Sequence, residues 1–147
     1  MGLDLRKYNQ VFLDTAPFIY YFEENPKYID LMSEFWDQVY QHQINVITSI
    51  ITYIELLTFP EKENNHKLAS QYRESLTNSE HISIYPLNIL VADATVNYRA
   101  RYALKTPDAI QLATAELCGA ELILTNDTEW KKTEIKEIAF LDDLLAK

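Results

Sequence analysis

The sequence predicts an α/β fold, a mainly parallel sheet with helices on both of its faces. Runs such as Val11-Phe12-Leu13 and Leu122-Ile123-Leu124 are continuously apolar, as strands buried on both sides require. Five such runs alternate with longer segments whose apolar residues recur at three- and four-residue intervals. Right-handed crossovers between them make successive strands point the same way. With only 2 glycines, 5 prolines, no repeat and no linker-like tract, residues 1–147 read as a single domain.

Residues 11–14 read as the first strand and 16–22 as a short helix. Over 27–42, Ile29, Met32, Phe35, Trp36 and Val39 form one apolar stripe opposite Glu34 and Gln38, predicting a long amphipathic helix. A strand over 45–48 leads into helices over 50–59 and 62–76. A third strand over 81–85 is followed by helices over 88–102 and 107–118. In the latter, Thr106 is expected as the cap and Pro107 as the first helical residue. Strands over 120–125 and 135–140 complete the set.

A chain of 147 residues, 48% of them hydrophobic, is long enough to bury a sizeable core. Its 22 acidic against 13 basic residues leave a net charge of −9, which argues against a protein that coats nucleic acid by charge alone. No apolar run approaches the ~20 residues of a membrane span, and residues 1–10 carry no apolar signal core, so a cytoplasmic protein is expected. Cys118 is the only cysteine, which excludes an internal disulfide or a thiolate zinc cluster. His42, His66 and His81 lie outside the junctions described next and read as surface or strand-end residues.

In a parallel sheet the C-terminal strand ends share one edge, where ligands bind. Asp14 directly follows the first strand, and Asp127 follows the 120–125 strand within two residues. Asp108 falls in the first turn of the 107–118 helix. Glu55 is the only charge in Ser49–Phe59, on the helix after the second strand, and an ionised carboxylate there needs a partner. Each has a competing structural role. Asp14 could cap the helix after it, Asp108 could favour a helix N-terminus, Thr52 and Glu55 have capping-box spacing, and Asn126-Asp127 is a common turn pair. Together the four acids would repel. One pair at ~4 Å with an effective dielectric of about 20 costs roughly 4 kcal/mol, so the set should bind protons or cations. Hard oxygen donors without His or Cys favour Mg²⁺ or Mn²⁺ over zinc.

The blocks "VFLDTAPFIYYFE", "SIITYIELL" and "TPDAIQLATAELCGAELILTND" resemble, in order and spacing, those of PIN-domain ribonucleases, most closely the toxins of VapBC toxin-antitoxin pairs. The resemblance spans about residues 11–140. It implies a three-layer α/β/α sandwich, a homodimer, and a cognate antitoxin whose C-terminal segment blocks the active-site groove. It also implies that Asp14, Glu55, Asp108 and Asp127 coordinate Mg²⁺ or Mn²⁺, with Thr15, Thr125 and Asn126 in support. Ala16 stands where many relatives place Asn or Ser. Glu129 and Trp130 replace a common Asp-Phe pair, which adds a carboxylate.

The chemistry such acids suit is phosphodiester hydrolysis by an activated water, leaving a 5′-phosphate and a 3′-hydroxyl. The sequence offers neither a Ser-His-Asp set nor a phosphate-binding Gly-rich loop. RNA is the expected substrate, chiefly through the resemblance. Arg99, Arg101 and Lys105, and after Asp127 Lys131 and Lys132, are the basic residues placed to hold its phosphates; solvated helix ends are the competing reading. Tyr20, Tyr21, Phe22 and Trp36 are expected to pack against the core or a dimer mate, and Asp93, Asn97 and Arg101 to form a solvated stripe. Two other readings compete. A PIN-fold interaction module would lack turnover. A receiver-like signalling domain would need an acid pair after the first strand and a lysine after the last, but Leu13 precedes Asp14, and Leu141, Asp142 and Asp143 follow the final strand.

Overall fold

β1 (Gln10–Leu13) is the central strand of a five-stranded sheet in the computed structural model, which describes residues 2–135 and 137–147. The chain runs on through α1 (Thr15–Phe22), α2 (Ile29–His42), β2 (Asn45–Ser49), α3 (Ile50–Lys62), α4 (His66–Asn78) and β3 (Ile82–Tyr85). Then come α5 (Ile89–Tyr102), α6 (Thr106–Leu117), β4 (Leu122–Thr125), a 3₁₀ turn (Thr128–Lys132), β5 (Ile138–Phe140) and α7 (Leu141–Leu145). The strand order is β3-β2-β1-β4-β5 and every pairing is parallel. The order reverses between β1 and β4, which makes their C-terminal ends the switch point where such sheets bind ligands.

Alternation along the strands builds the three layers. Val11, Leu13, Leu122 and Leu124 pack with residues of α1, α2, α3, α4 and α7 on one face. Phe12 and Ile123 pack with Leu112 and Ala115 of α6 and with Trp130 on the other. Burial on both faces is why these strands read as unbroken apolar runs. In α2, Leu31, Met32, Phe35, Trp36 and Val39 are buried, which is the predicted stripe with Leu31 added and with Ile29, at the helix start, only half-buried.

The helix expected over 50–59 continues to Lys62 through Pro60, which is buried in its last turns. α4 begins at His66 rather than at 62, because the Asn65 side chain accepts from the Leu68 N–H and starts the helix there. α6 begins at Thr106, so Thr106 is helical and not the cap; Lys105 takes that place without a side-chain bond. The strand expected over 135–140 is seen as Ile138–Phe140, and Lys136 lies outside the described residues. The 3₁₀ turn and α7 have no counterpart among the predicted elements. Among the described residues no helix is long and apolar enough to cross a membrane.

Candidate functional site

Asp14 ends up buried at the switch point because β1 stops one residue before it. The register sets Leu13 opposite Leu124, and the Asp14 N–H donates to the Leu124 carbonyl at 3.1 Å. Its side chain caps α1, so the structural role weighed for this residue is present together with its place in the site. Oδ1 accepts from the Thr15 N–H at 2.8 Å and from Gln111 Nε2 at 3.1 Å, and Oδ2 accepts from the Thr125 hydroxyl at 2.7 Å. Burial pushes this carboxyl up to about 6; the Thr125 and Thr15 bonds hold it down, and the Glu55 and Asp127 charges push it further up.

Asp14, Glu55, Asp108 and Asp127 line one cavity of about 300 Å³, together with Thr15, Ala16, Ile19, Tyr20, Gln111 and Asn126. They arrive from the ends of β1 and β4, from the first turn of α6, and from the second turn of α3. Glu55 is raised by burial and then by Asp108 and Asp127; Asp108 is raised by burial and then by Asp127. The capping-box reading of Glu55 fails, since α3 starts at Ile50 and Ser49 caps it by accepting from the Ile51 and Thr52 N–H groups. Nor does Glu55 need a buried partner, because its side chain is exposed at the mouth of the cavity. Asp127 caps the 3₁₀ turn by accepting from the Glu129 N–H at 3.0 Å.

Among the described residues no lysine, arginine, histidine or cysteine lines this cavity. Its donors are hard oxygens, a set that fits Mg²⁺ or Mn²⁺. The buried indole Nε1–H of Trp130 lies near enough to hold Asp108 down but meets no hydrogen-bond partner among the described residues. Among those residues no three His, Cys, Asp or Glu side chains are drawn tightly enough to enclose an ion. Like charges sharing a small cavity hold one another apart.

Behind the acids lies a polar network that joins Thr15, expected as a supporting residue, to Ser49, Thr52 and Gln111, which were not expected at the site. Gln111 Nε2 reaches Thr52 Oγ1 at 2.9 Å and Thr15 Oγ1 at 3.3 Å as well as Asp14, and its Oε1 accepts from the Ser49 hydroxyl. The Thr15 and Thr52 hydroxyls are 3.0 Å apart. The one available signal was the i, i+3 spacing from Asp108 to Gln111, which reads equally well as a wet helix stripe.

Asn126 turns elsewhere. Its Nδ2 donates to the Tyr28 hydroxyl at 3.0 Å and its Oδ1 accepts from the Asp142 N–H, tying the site loop to α7. Tyr20 stacks on Tyr28 at 4.0 Å, Tyr21 packs on Trp36 and Phe22 on Tyr72. Glu129 is exposed, is absent from the cavity lining and pairs with Lys132 at 3.2 Å. Lys131 pairs with Asp143 at 3.7 Å. Lys105 stands close enough to lower Asp108. Arg99 donates from Nε to the Leu104 carbonyl at 3.3 Å. Arg101 pairs with Glu134 and lines a second cavity of about 500 Å³ with Tyr98, Tyr102 and Glu116, which shares no lining residue with the acidic one. Asp93, Asn97 and Arg101 are all exposed. His81 is buried, edge-on to Tyr40 at 4.8 Å, just before β3.

A parallel α/β/α sandwich with four acids at its switch point defines the class: an acidic-site domain built on a five-stranded sheet. A PIN domain profile matches residues 11–136, and the chain belongs to the PIN domain family. Its structure is similar to a chain of a toxin-antitoxin complex from Klebsiella pneumoniae, at 25% identity and a TM-score of 0.68, covering 89% of this chain and 97% of that one. It is similar in fold to a chain of VapBC2 from Rickettsia felis bound to a DNA fragment from their promoter (13% identity, TM-score 0.73, 89% and 98% covered). A third similar fold is VapC20 of Mycobacterium tuberculosis, a sarcin-ricin loop cleaving toxin (15% identity, TM-score 0.64, 77% and 86% covered). No curated protein sequence matches the chain.

Proposed function

We propose that this chain is a divalent-metal-dependent endoribonuclease, the cytoplasmic toxin of a toxin-antitoxin pair. The observation that carries the reading is the convergence of four carboxylates in one cavity that no basic side chain lines among the described residues. Asp14, Glu55, Asp108 and Asp127 would hold Mg²⁺ or Mn²⁺. Such an ion supplies Lewis-acid chemistry, acidifying water and offsetting charge on a phosphodiester.

The chain's own residues have distinct parts in this. Asp14 is held immobile by Thr15, Gln111 and Thr125. The charge of Asp127 raises Asp108, while Glu55 is the exposed member of the four. Burial and mutual repulsion leave Asp14, Glu55 and Asp108 readier than ordinary carboxylates to take up a proton. Thr15, the one aliphatic hydroxyl on the cavity lining, is buried and engaged with Gln111 and Thr52, and water is the attacking group in this reading.

RNA as the substrate is supported by membership of the PIN family and by the likeness to a toxin that cleaves the sarcin-ricin loop. The likeness to toxin-antitoxin complexes supports an antitoxin protein as partner. A homodimer is supported by the exposed apolar side chains Leu87, Ile89, Leu90 and Val96 on and before α5. One observation favours the alternative of an interaction module without turnover: among the described residues no three carboxylates are gathered closely enough to enclose an ion. One experiment separates the two readings. The purified chain is incubated with a panel of structured RNAs, with Mn²⁺ or with EDTA, and the cuts are mapped. Cleavage that needs Mn²⁺ and leaves 5′-phosphates is expected. A folded chain that never cuts, or that cuts equally in EDTA, defeats the proposal.

A further inference from the structure

We infer that Gln111 is a positioning residue that fixes the Asp14 carboxylate and leaves it a single lone pair, on Oδ2, for a cation. The inference rests on the metal-dependent reading above. A carboxylate has about four in-plane lone-pair positions. The Thr15 N–H and Gln111 Nε2 take those of Oδ1, and the Thr125 hydroxyl takes one of Oδ2. What remains makes Asp14 a one-point ligand of defined direction.

The orientation of the Gln111 amide is itself dictated, from the start of α3. Ser49 Oγ accepts from the Ile51 and Thr52 N–H groups, at 3.1 and 3.2 Å, so its lone pairs serve the helix end. Its one proton must go to an acceptor, and the acceptor it meets is Gln111 Oε1. The amide is thereby turned with Nε2 toward Asp14. Gln111 is 2% exposed and Ser49 fully buried, so water does not compete for either end. The cap of one helix thus aims a ligand at the end of a neighbouring strand.

The test is Gln111→Met, which keeps length and volume and removes the donor. Mn²⁺ affinity is measured by calorimetry on the intact chain, alongside RNA cleavage. Loss of a side chain that orients a ligand is expected to weaken Mn²⁺ binding about 10- to 100-fold and to lower kcat by a similar factor, with KM for RNA changed less than ~2-fold. A parent chain that does not bind Mn²⁺ sinks the metal-dependent reading and this inference with it. A parent that binds, beside a folded Q111M that binds equally well, sinks the role of Gln111 alone. Should Q111M fail to fold, Ser49→Ala releases the amide while leaving the partners of Asp14 in place. Weakened Mn²⁺ binding in S49A supports the inference, and parental affinity overturns it.

Discussion

Gln111 on α6 donates from Nε2 to Oδ1 of Asp14, 97 positions earlier in the chain, at 3.1 Å. The bond joins the outer helical layer to the central strand at the point where the strand order reverses. It is one of three that hold a carboxylate in a place burial disfavours. Such an arrangement destabilises the fold by itself and is expected where function demands a charge.

Asp108→Asn removes a charge with little change in shape, from a helix turn that carries no cap bond to lose. Cleavage is expected to fall by at least about 10²-fold while the circular dichroism spectrum is unchanged. The same outcome is expected for Asp14→Asn. Turnover within a factor of two of the parent in either folded variant would remove that residue from the mechanism.

Stability in divalent-free buffer should depend on pH through Asp14. Its carboxyl is pushed from 3.8 up to about 6 in the folded chain, chiefly by burial. Between those values the folded state binds more protons than the unfolded one, so stability falls as pH rises from about 4 to about 6, by at most ~3 kcal/mol, and levels off above. Burial raises Glu55 and Asp108 too, so they contribute in the same direction. Denaturant titrations in EDTA at several pH values would show it, and Asp14→Asn should flatten the slope. A parent and variant with parallel pH profiles would contradict this assignment.

Addition of Mn²⁺ should reverse that cost, because a cation replaces the proton as the group that neutralises the acids. At a hundred times its Kd a ligand stabilises by about 2.7 kcal/mol, roughly 5–10 °C in Tm for a chain of this size. The shift is expected to be largest near neutral pH, where the acids are ionised, and to vanish in Asp108→Asn. An equal shift in parent and variant would mean that the ion binds elsewhere.

Among the basic residues, the geometry separates Lys105 from Arg101. Lys105 directly precedes α6 and its charge reaches Asp108, whereas Arg101 is engaged by Glu134 and lies over the Tyr102 ring at 5.2 Å. Lys105→Ala should weaken RNA binding at low salt and make the slope of log K against log salt shallower by about 1, with Arg101→Ala having the smaller effect. Filter binding from low to moderate salt reads this, and an unchanged slope in K105A takes Lys105 off the contact surface.

Much of this was legible beforehand, and the physical reason for the remainder differs from element to element. β1 and β4 show as unbroken apolar runs because both sheet faces are covered, and α2 shows because one stripe meets the core. Asp14, Asp108 and Asp127 could be placed because strand ends and first turns are local features. Glu55 was placed on the right helix, but its exposure depends on how α3 sits across the cavity mouth, which periodicity does not report. Gln111 and Ser49 lie 62 positions apart, and no local pattern announces that they meet. The 3₁₀ turn and α7 are five residues each, too short to display a period.

Asn126 supplies the last prediction, since its bonds set the site loop against the C-terminal helix. Its Oδ1 accepts the Asp142 N–H at 3.1 Å, which fixes the amide orientation and leaves Nδ2 to donate to Tyr28. Tyr28 in turn donates to Asp142 Oδ1 at 2.6 Å, closing a ring of three side chains that Lys27 joins from outside. Asn126→Ala takes the donor from the Tyr28 hydroxyl and the acceptor from the exposed Asp142 N–H, at a cost of about 0.5–1.5 kcal/mol per bond. Hydrogen exchange should then quicken at Leu141–Leu145 more than in α4, which contributes no residue to this ring. Asn126→Asp keeps the shape but sets a second carboxylate beside Asp142, so it should destabilise at neutral pH and recover as the pH falls toward 4. If Asn126→Ala left both the unfolding free energy and exchange in α7 unchanged, the ring would be incidental and the loop bearing Asp127 would owe its position to Thr125 alone.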